Sequence, residues 1–224
     1  MEHFFRHTPD PKANISMAKV WLILIIYLLV IYRFREKKKL LELQLIFIAI
    51  VEVSLIIWYY KGKDIFFVEG LPLYHCRIAG FMMPIAYFTK RYKLLNYFSY
   101  LGIIGPLVAY TVPDPSKYMW PHITNVTYIC AHTMLIASGL MVVSSLRRDL
   151  DLKYISKVTL LMNLIIYIAN KIFAANYGYL ATLPESMSIN VPSILLLFAM
   201  SFLIIIAIYF LNHLFKKLSN KKVI

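Results

Sequence analysis

The chain has 224 residues, 60% of them hydrophobic, and a formal charge of +13; its mean hydropathy is +0.67. Soluble domains are nearer half apolar, so this composition excludes an ordinary water-soluble protein and points to a membrane protein. The Lys and Arg residues sit in short loops between apolar blocks, where they set topology, so no nucleic-acid partner is expected. The two cysteines, Cys76 and Cys130, make neither a disulfide framework nor a metal-ligand pattern, so no metal and no cofactor are expected.

The N-terminal stretch MEHFFRHTPDPKANIS is polar, contains Pro9 and Pro11, and lacks the apolar core and cleavage site of a signal peptide. Seven apolar blocks follow, at 17–32, 41–60, 71–89, 94–112, 123–146, 154–174 and 191–215, each near the roughly 20 residues a bilayer core requires. The pattern predicts an all-α, polytopic, seven-transmembrane-helix bundle forming one domain over 1–224, with no internal repeat. Pro72 is expected in the first turn of the third helix, where a proline is tolerated.

The loops alternate in charge. Arg33, Arg35, Lys37, Lys38 and Lys39 follow the first block, Lys90, Arg91 and Lys93 the third, and Arg147, Arg148, Lys153 and Lys157 the fifth. The tail adds Lys216, Lys217, Lys221 and Lys222. The intervening loops are mixed or acidic, with Glu69, Asp114 and Glu185. Positive residues mark the cytoplasmic side, so the N-terminus is expected outside and the C-terminus inside, in a multi-pass membrane protein. Trp58, Tyr59, Tyr60, Phe66, Phe67, Tyr118, Trp120, Tyr177 and Tyr179 then belong to the outer interface.

Several polar groups fall inside the blocks at similar depth. With a rise of about 1.5 Å per residue, Cys76 lies about 8 Å, Glu52 about 12 Å and His132 about 14 Å from the outer ends of their helices. Asn170 lies near the outer end of the sixth helix and Asn163 about two turns deeper. Ionisable groups at that depth face one another or a wet cavity, so convergence there marks a candidate site. The chemistry that fits is acyl transfer. Cys76 is the candidate nucleophile, since a thiolate near a cation is reactive. His132 is the candidate general base and Glu52 the group orienting its imidazole. His75 and Arg77 are expected to reach up to phosphate headgroups, and Asn163 and Asn170 to contact substrate or bond between helices. Cys130, two residues from His132, is read as packing.

These residues carry a family resemblance: LPLYHC at 71–76, VPD at 112–114, PH at 121–122, His132, and NYGYL at 176–180 followed by Pro184. The chain resembles the YwaF family of bacterial seven-span membrane proteins, relatives of the mammalian ether-phospholipid transmembrane acyltransferase. The resemblance implies thiol-dependent acyl transfer at Cys76 with His132 as partner, acting on phospholipid or lysophospholipid, with Asp114, Asn176 and Tyr177 as further substrate-contacting candidates. The family pattern is commonly Leu-Pro-Leu-His-x-Cys. Here Tyr74 holds the His position and His75 follows, and a one-residue move turns a helical side chain by about 100°. The competing reading is a non-catalytic seven-span transporter, receptor-like protein or envelope scaffold; the missing repeat and the one-sided polar cluster weigh against transport. Protein partners are not specified by the sequence.

The charge alternation makes a direct prediction. A cysteine introduced at Ser116 should react with an impermeant thiol reagent applied to intact cells, and one at Lys38 should not. The reverse labelling would invert the orientation.

Overall fold

The computed structural model describes residues 2–183 and 189–220; Pro184, Glu185, Lys221 and Lys222 lie outside the described residues. Among the described residues there is no strand. The helices are α1 (Glu2–Phe5), α2 (Met17–Arg33), α3 (Lys38–Lys61), α4 (His75–Phe88), α5 (Tyr92–Thr111), α6 (Ile123–Ser145), α7 (Leu152–Phe173) and α8 (Ser193–Asn220). A π-helical turn at Phe66–Gly70 precedes α4 and a 3₁₀ turn at Tyr177–Tyr179 follows α7. Five of the helices, α3, α5, α6, α7 and α8, are long and apolar enough to cross a membrane; α2 has 17 residues and α4 only 14.

Most apolar blocks became helices with ends a few residues from those expected. The third is the exception. Leu71 is extended (φ −65°, ψ 145°), as the residue before a proline is driven to be, and Tyr74 is extended as well (φ −71°, ψ 140°). The helix therefore begins at His75, and Pro72 stands outside it rather than in its first turn.

The surface is that of a membrane protein. On α2, Leu22, Ile25, Ile26 and Leu29 are exposed while Val20, Leu24 and Ile31 are buried; α8 likewise exposes Phe198, Phe202, Leu203 and Phe210. Apolar faces of this extent belong against lipid rather than water. Inside, α3, α4, α5 and α6 share a core of Leu45, Ile48, Ala79, Met83, Leu101 and Leu135. Small residues permit the close approach of helices in such bundles: a Cβ on Gly139 of α6 would lie 2.7 Å from the Ser99 carbonyl oxygen of α5.

The helices run alternately, so the Lys- and Arg-rich loops gather at one end, the basic end. There Asn96 donates to the Leu146 carbonyl (3.0 Å) and accepts from the Arg148 N–H (3.1 Å), while Asn212 donates to the Leu150 carbonyl (3.0 Å). At the opposite end the N-terminal arm folds back over α3 and the 112–122 loop. Trp58 donates its indole N–H to the Phe5 carbonyl at 3.0 Å, and His7 stacks on Trp58 with ring centroids 4.7 Å apart. His122, the N-cap of α6, is fully buried, stacks on Tyr118 at 3.9 Å and donates from Nε2 to the Arg6 carbonyl at 2.9 Å. Asp10 pairs with Arg6 and accepts from the Met119 N–H.

This docking should depend on pH. Burial holds the His122 imidazole below its ordinary pKa, so the detached arm binds more protons than the docked one in acid. Docking is then complete above about pH 6.5 and weakens as the pH falls below it. The Met119 N–H in turn keeps the Asp10 carboxyl below its ordinary value, so Asp10 stays ionised through that window. A spin label at Thr8 should gain mobility between about pH 7.5 and about pH 5.5. Unchanged mobility would show that His122 does not control the arm.

Candidate functional site

Because α4 starts at His75, the residues His75, Cys76 and Arg77 occupy its first turn. The Cys76 Sγ lies against α5, where a Cβ on Gly105 would come within 2.7 Å of it, so only glycine leaves room for the sulfur. Gly105 lies six residues before the end of α5 at Thr111, about 9 Å along the helix. The cysteine is thus delivered inside the bundle by an extended segment rather than by a helix. It is half-buried and unbridged.

Arg77 and Glu52 form the buried ion pair beneath it. Arg77 Nε donates to Glu52 Oε2 at 3.0 Å, and Nη1 donates to the carbonyls of Glu69 (3.2 Å) and Leu71 (3.1 Å). The guanidinium carbon lies 5.7 Å from the centroid of the Tyr59 ring, and Nη2 is buried without a partner among the described residues. Glu52 fits because Gly80 has no side chain; a Cβ there would stand 3.0 Å from Glu52 Cγ. Two sequence expectations are corrected. Arg77, 8% exposed, does not reach for headgroups, since the irregular 66–74 segment leaves carbonyls inside the bundle that require donors. Glu52 does not orient His132, since its carboxylate is held by Arg77.

Both imidazoles have a fixed tautomer. His132 Nδ1 lies 2.6 Å from the Tyr128 carbonyl oxygen. A carbonyl only accepts, so Nδ1 carries the proton and Nε2 presents a lone pair. The rings of Tyr128 and Tyr110 flank it, with centroids 4.5 and 5.7 Å away. The phenols are anchored in turn: Tyr128 donates to the Ala109 carbonyl (2.5 Å) and Tyr110 to the Ile129 carbonyl (2.9 Å). His75 also departs from expectation. Instead of reaching outward, it bonds through Nε2 to Asn163 Oδ1 at 2.8 Å, and Asn163 Nδ2 donates to Ser201 Oγ at 2.9 Å. His75 and Asn163 are therefore brought together across α4, α7 and α8.

The remaining candidates build the loop after α7. Asn170 accepts the Tyr177 N–H (2.8 Å) and donates to the Tyr177 carbonyl (2.9 Å). Tyr177 is fully buried; its hydroxyl donates to the Phe67 carbonyl (2.9 Å) and accepts the Leu71 N–H (3.1 Å). Asn176 accepts from the N–H groups of Ala181 (3.1 Å) and Thr182 (3.0 Å). Asp114 Oδ2 accepts from the Tyr179 hydroxyl at 2.9 Å, joining the two loops. A cavity of about 320 Å³ at this end is lined by Tyr167, Asn170, Lys171, Leu180 and Ser193; Cys76, Glu52 and His132 do not line it. Sequence reasoning missed Gly80, Gly105, Tyr110 and Tyr128. Only Tyr128 left a signal: it lies four residues before His132, where helix geometry stacks one turn on the next.

A family model described as the TMEM164 family matches residues 7–212. The chain belongs to the TMEM164 family. The match runs from the N-terminal arm into α8 and takes in every residue of the cluster around Cys76, in a multi-span membrane protein. No curated protein and no solved structure matches the chain.

The ion pair is directly testable. Arg77→Met leaves Glu52 buried and unpaired and two loop carbonyls without donors, and should lower stability by about 3–5 kcal/mol. The double variant Arg77→Met, Glu52→Leu should recover part of that loss, read as the midpoint of thermal unfolding in detergent. Equal loss in both would show that the loop carbonyls, not the ion pair, dominate.

Proposed function

We propose that the protein is a seven-span membrane acyltransferase in which the Cys76 thiol takes an acyl chain from a phospholipid and passes it to a second lipid. The observation that carries this reading is the placement of Cys76 in the first turn of a helix that starts inside the bundle, together with a His132 of fixed tautomer flanked by two phenols. A helix N-terminus favours negative charge, and the thiolate is the attacking form of cysteine. Arg77, expected to activate the thiol, is committed to Glu52 and brings no net positive charge to it.

In the proposed reaction His132 Nε2 takes the thiol proton as Sγ attacks the ester carbonyl carbon of a phospholipid. The C–O bond breaks, the acyl chain remains on sulfur as a thioester, and His132 returns the proton to the departing lysophospholipid oxygen. A second lipid hydroxyl then accepts the acyl group. Glu52 acts here by holding Arg77 and through it the 66–74 segment. The resemblance to the YwaF family and its acyltransferase relatives, carried by LPLYHC, VPD, His132 and NYGYL, supports the same reading.

In this reading α2 and α4 join the five long helices as spans, with the 66–74 segment completing the short α4. Backbone that is not helical is tolerated at membrane depth where protein buries it. The N-terminus faces out, the C-terminus in, and the site opens toward the outer half of a bacterial plasma membrane. The partners are membrane phospholipids and lysophospholipids, and the basic end meets the anionic inner leaflet.

The test is chemical. Purified protein given phospholipid with a labelled acyl chain should form an adduct on Cys76 that neutral hydroxylamine cleaves. Cys76→Ala should abolish adduct and lipid remodelling while expression is kept, Cys130→Ala should retain both, and His132→Ala should slow adduct formation by about 100-fold or more. Wild-type remodelling in Cys76→Ala would overturn the proposal.

A further inference from the structure

The reaction above leaves one imidazole without a role. Ser201 Oγ donates to the Leu197 carbonyl at 2.7 Å, so the same oxygen accepts from Asn163 Nδ2. That contact fixes the Asn163 amide and turns Oδ1 toward His75. Oδ1 only accepts, so His75 Nε2 carries the proton and Nδ1 holds a lone pair. Nδ1 has no hydrogen-bond partner among the described residues, and His75 is half-buried rather than sealed. Its Cε1–Nδ1 edge lies against Gly178 (φ +62°), where a Cβ would come within 2.8 Å of Cε1 and 3.1 Å of Nδ1. A positive φ and the absence of a side chain both favour glycine at this position.

We infer that His75 Nδ1 is the base for the incoming alcohol, so that the two half-reactions use different imidazoles. This rests on the acyl-transfer reading and adds the group that deprotonates the accepting lipid hydroxyl. His75 and Cys76 are consecutive in the first turn of α4, and the groups around them divide by helix. His132, Tyr110 and Tyr128 belong to α5 and α6; Asn163 and Ser201, which hold His75, belong to α7 and α8. The two imidazoles are therefore held from different sides of this turn of α4. In the second half-reaction the acceptor oxygen attacks the thioester carbonyl carbon as its proton passes to His75 Nδ1. The new C–O bond forms, the C–S bond breaks, and the sulfur takes the proton back from the His75 imidazolium, restoring thiol and neutral imidazole. The Cys–His–Asn order, with the amide orienting the ring, is a known solution for holding such a base.

The experiment separates the half-reactions. Full-length protein is placed in phosphatidylethanolamine–phosphatidylglycerol vesicles carrying a fluorescent acyl chain, with or without lysophosphatidylethanolamine as acceptor. His75→Gln should form the hydroxylamine-sensitive adduct at close to the wild-type rate but discharge it to the acceptor about 100-fold more slowly, so that the adduct accumulates. Asn163→Leu, which keeps the imidazole but frees its orientation, should slow discharge to a smaller degree and shift the pH profile of discharge without that of adduct formation. Wild-type discharge in His75→Gln, or equal loss of adduct formation and discharge in a folded variant, overturns the inference. If His75→Gln does not fold, normal discharge and an unshifted profile in Asn163→Leu overturn it. Absence of any adduct in the wild-type protein overturns the acyl-transfer reading itself, and the assignment of His75 with it.

Discussion

The ion pair between Arg77 and Glu52 is the constraint on which this end of the bundle depends. A carboxylate and a guanidinium inside an apolar bundle are each unfavourable alone, and together they fix where α4 begins. Arg77 is suited to the place because its donors point in several directions at once. One meets Glu52, and another meets two carbonyls of the irregular segment before the helix. Lysine, with a single flexible ammonium, would not reproduce that fork. The consequence is a short helix whose first turn, carrying His75 and Cys76, starts below the ends of its neighbours rather than at them.

Around that turn, space is made by omission. Gly105 admits the Cys76 sulfur, Gly80 admits Glu52, and Gly178 admits the edge of His75. Two of these contacts meet the first turn of α4 directly, and the third, at Gly80 further along α4, seats the carboxylate that pairs with Arg77. The polar groups are held with equal economy. Backbone carbonyls take the hydroxyl protons of Tyr110 and Tyr128 and the Nδ1 proton of His132. An amide takes the Nε2 proton of His75. Each ring is left with one nitrogen that accepts, and the two rings hang from different helix pairs. Rings held this way are already oriented before a substrate arrives, which is what an acid–base site requires.

The loop contacts explain why the 174–183 segment is part of this arrangement. Asn170 holds Tyr177 by both its backbone groups, and the Tyr177 hydroxyl reaches back to Phe67 and Leu71. The turn before α4 and the turn after α7 thus brace each other. The NYGYL motif reads as a loop that shapes the site, and Asn176 acts within that loop by closing on Thr182.

The sequence by itself determined the helical class, the membrane character and the positions of the apolar blocks within a few residues. Those properties follow from composition and from a rise per residue that every helix shares. It also singled out Glu52, His75, Cys76, Arg77 and His132 as unusual for their surroundings. Only the tertiary structure decided the pairings among them: Glu52 with Arg77 rather than His132, and His75 with Asn163 rather than headgroups. Only the tertiary structure placed the start of α4 at His75. The physical reason is that periodicity reports which way a side chain points on its own helix, whereas a hydrogen-bond partner depends on how helices far apart in the chain are rotated and shifted against one another. The glycine contacts that set those rotations leave no periodic trace in a sequence.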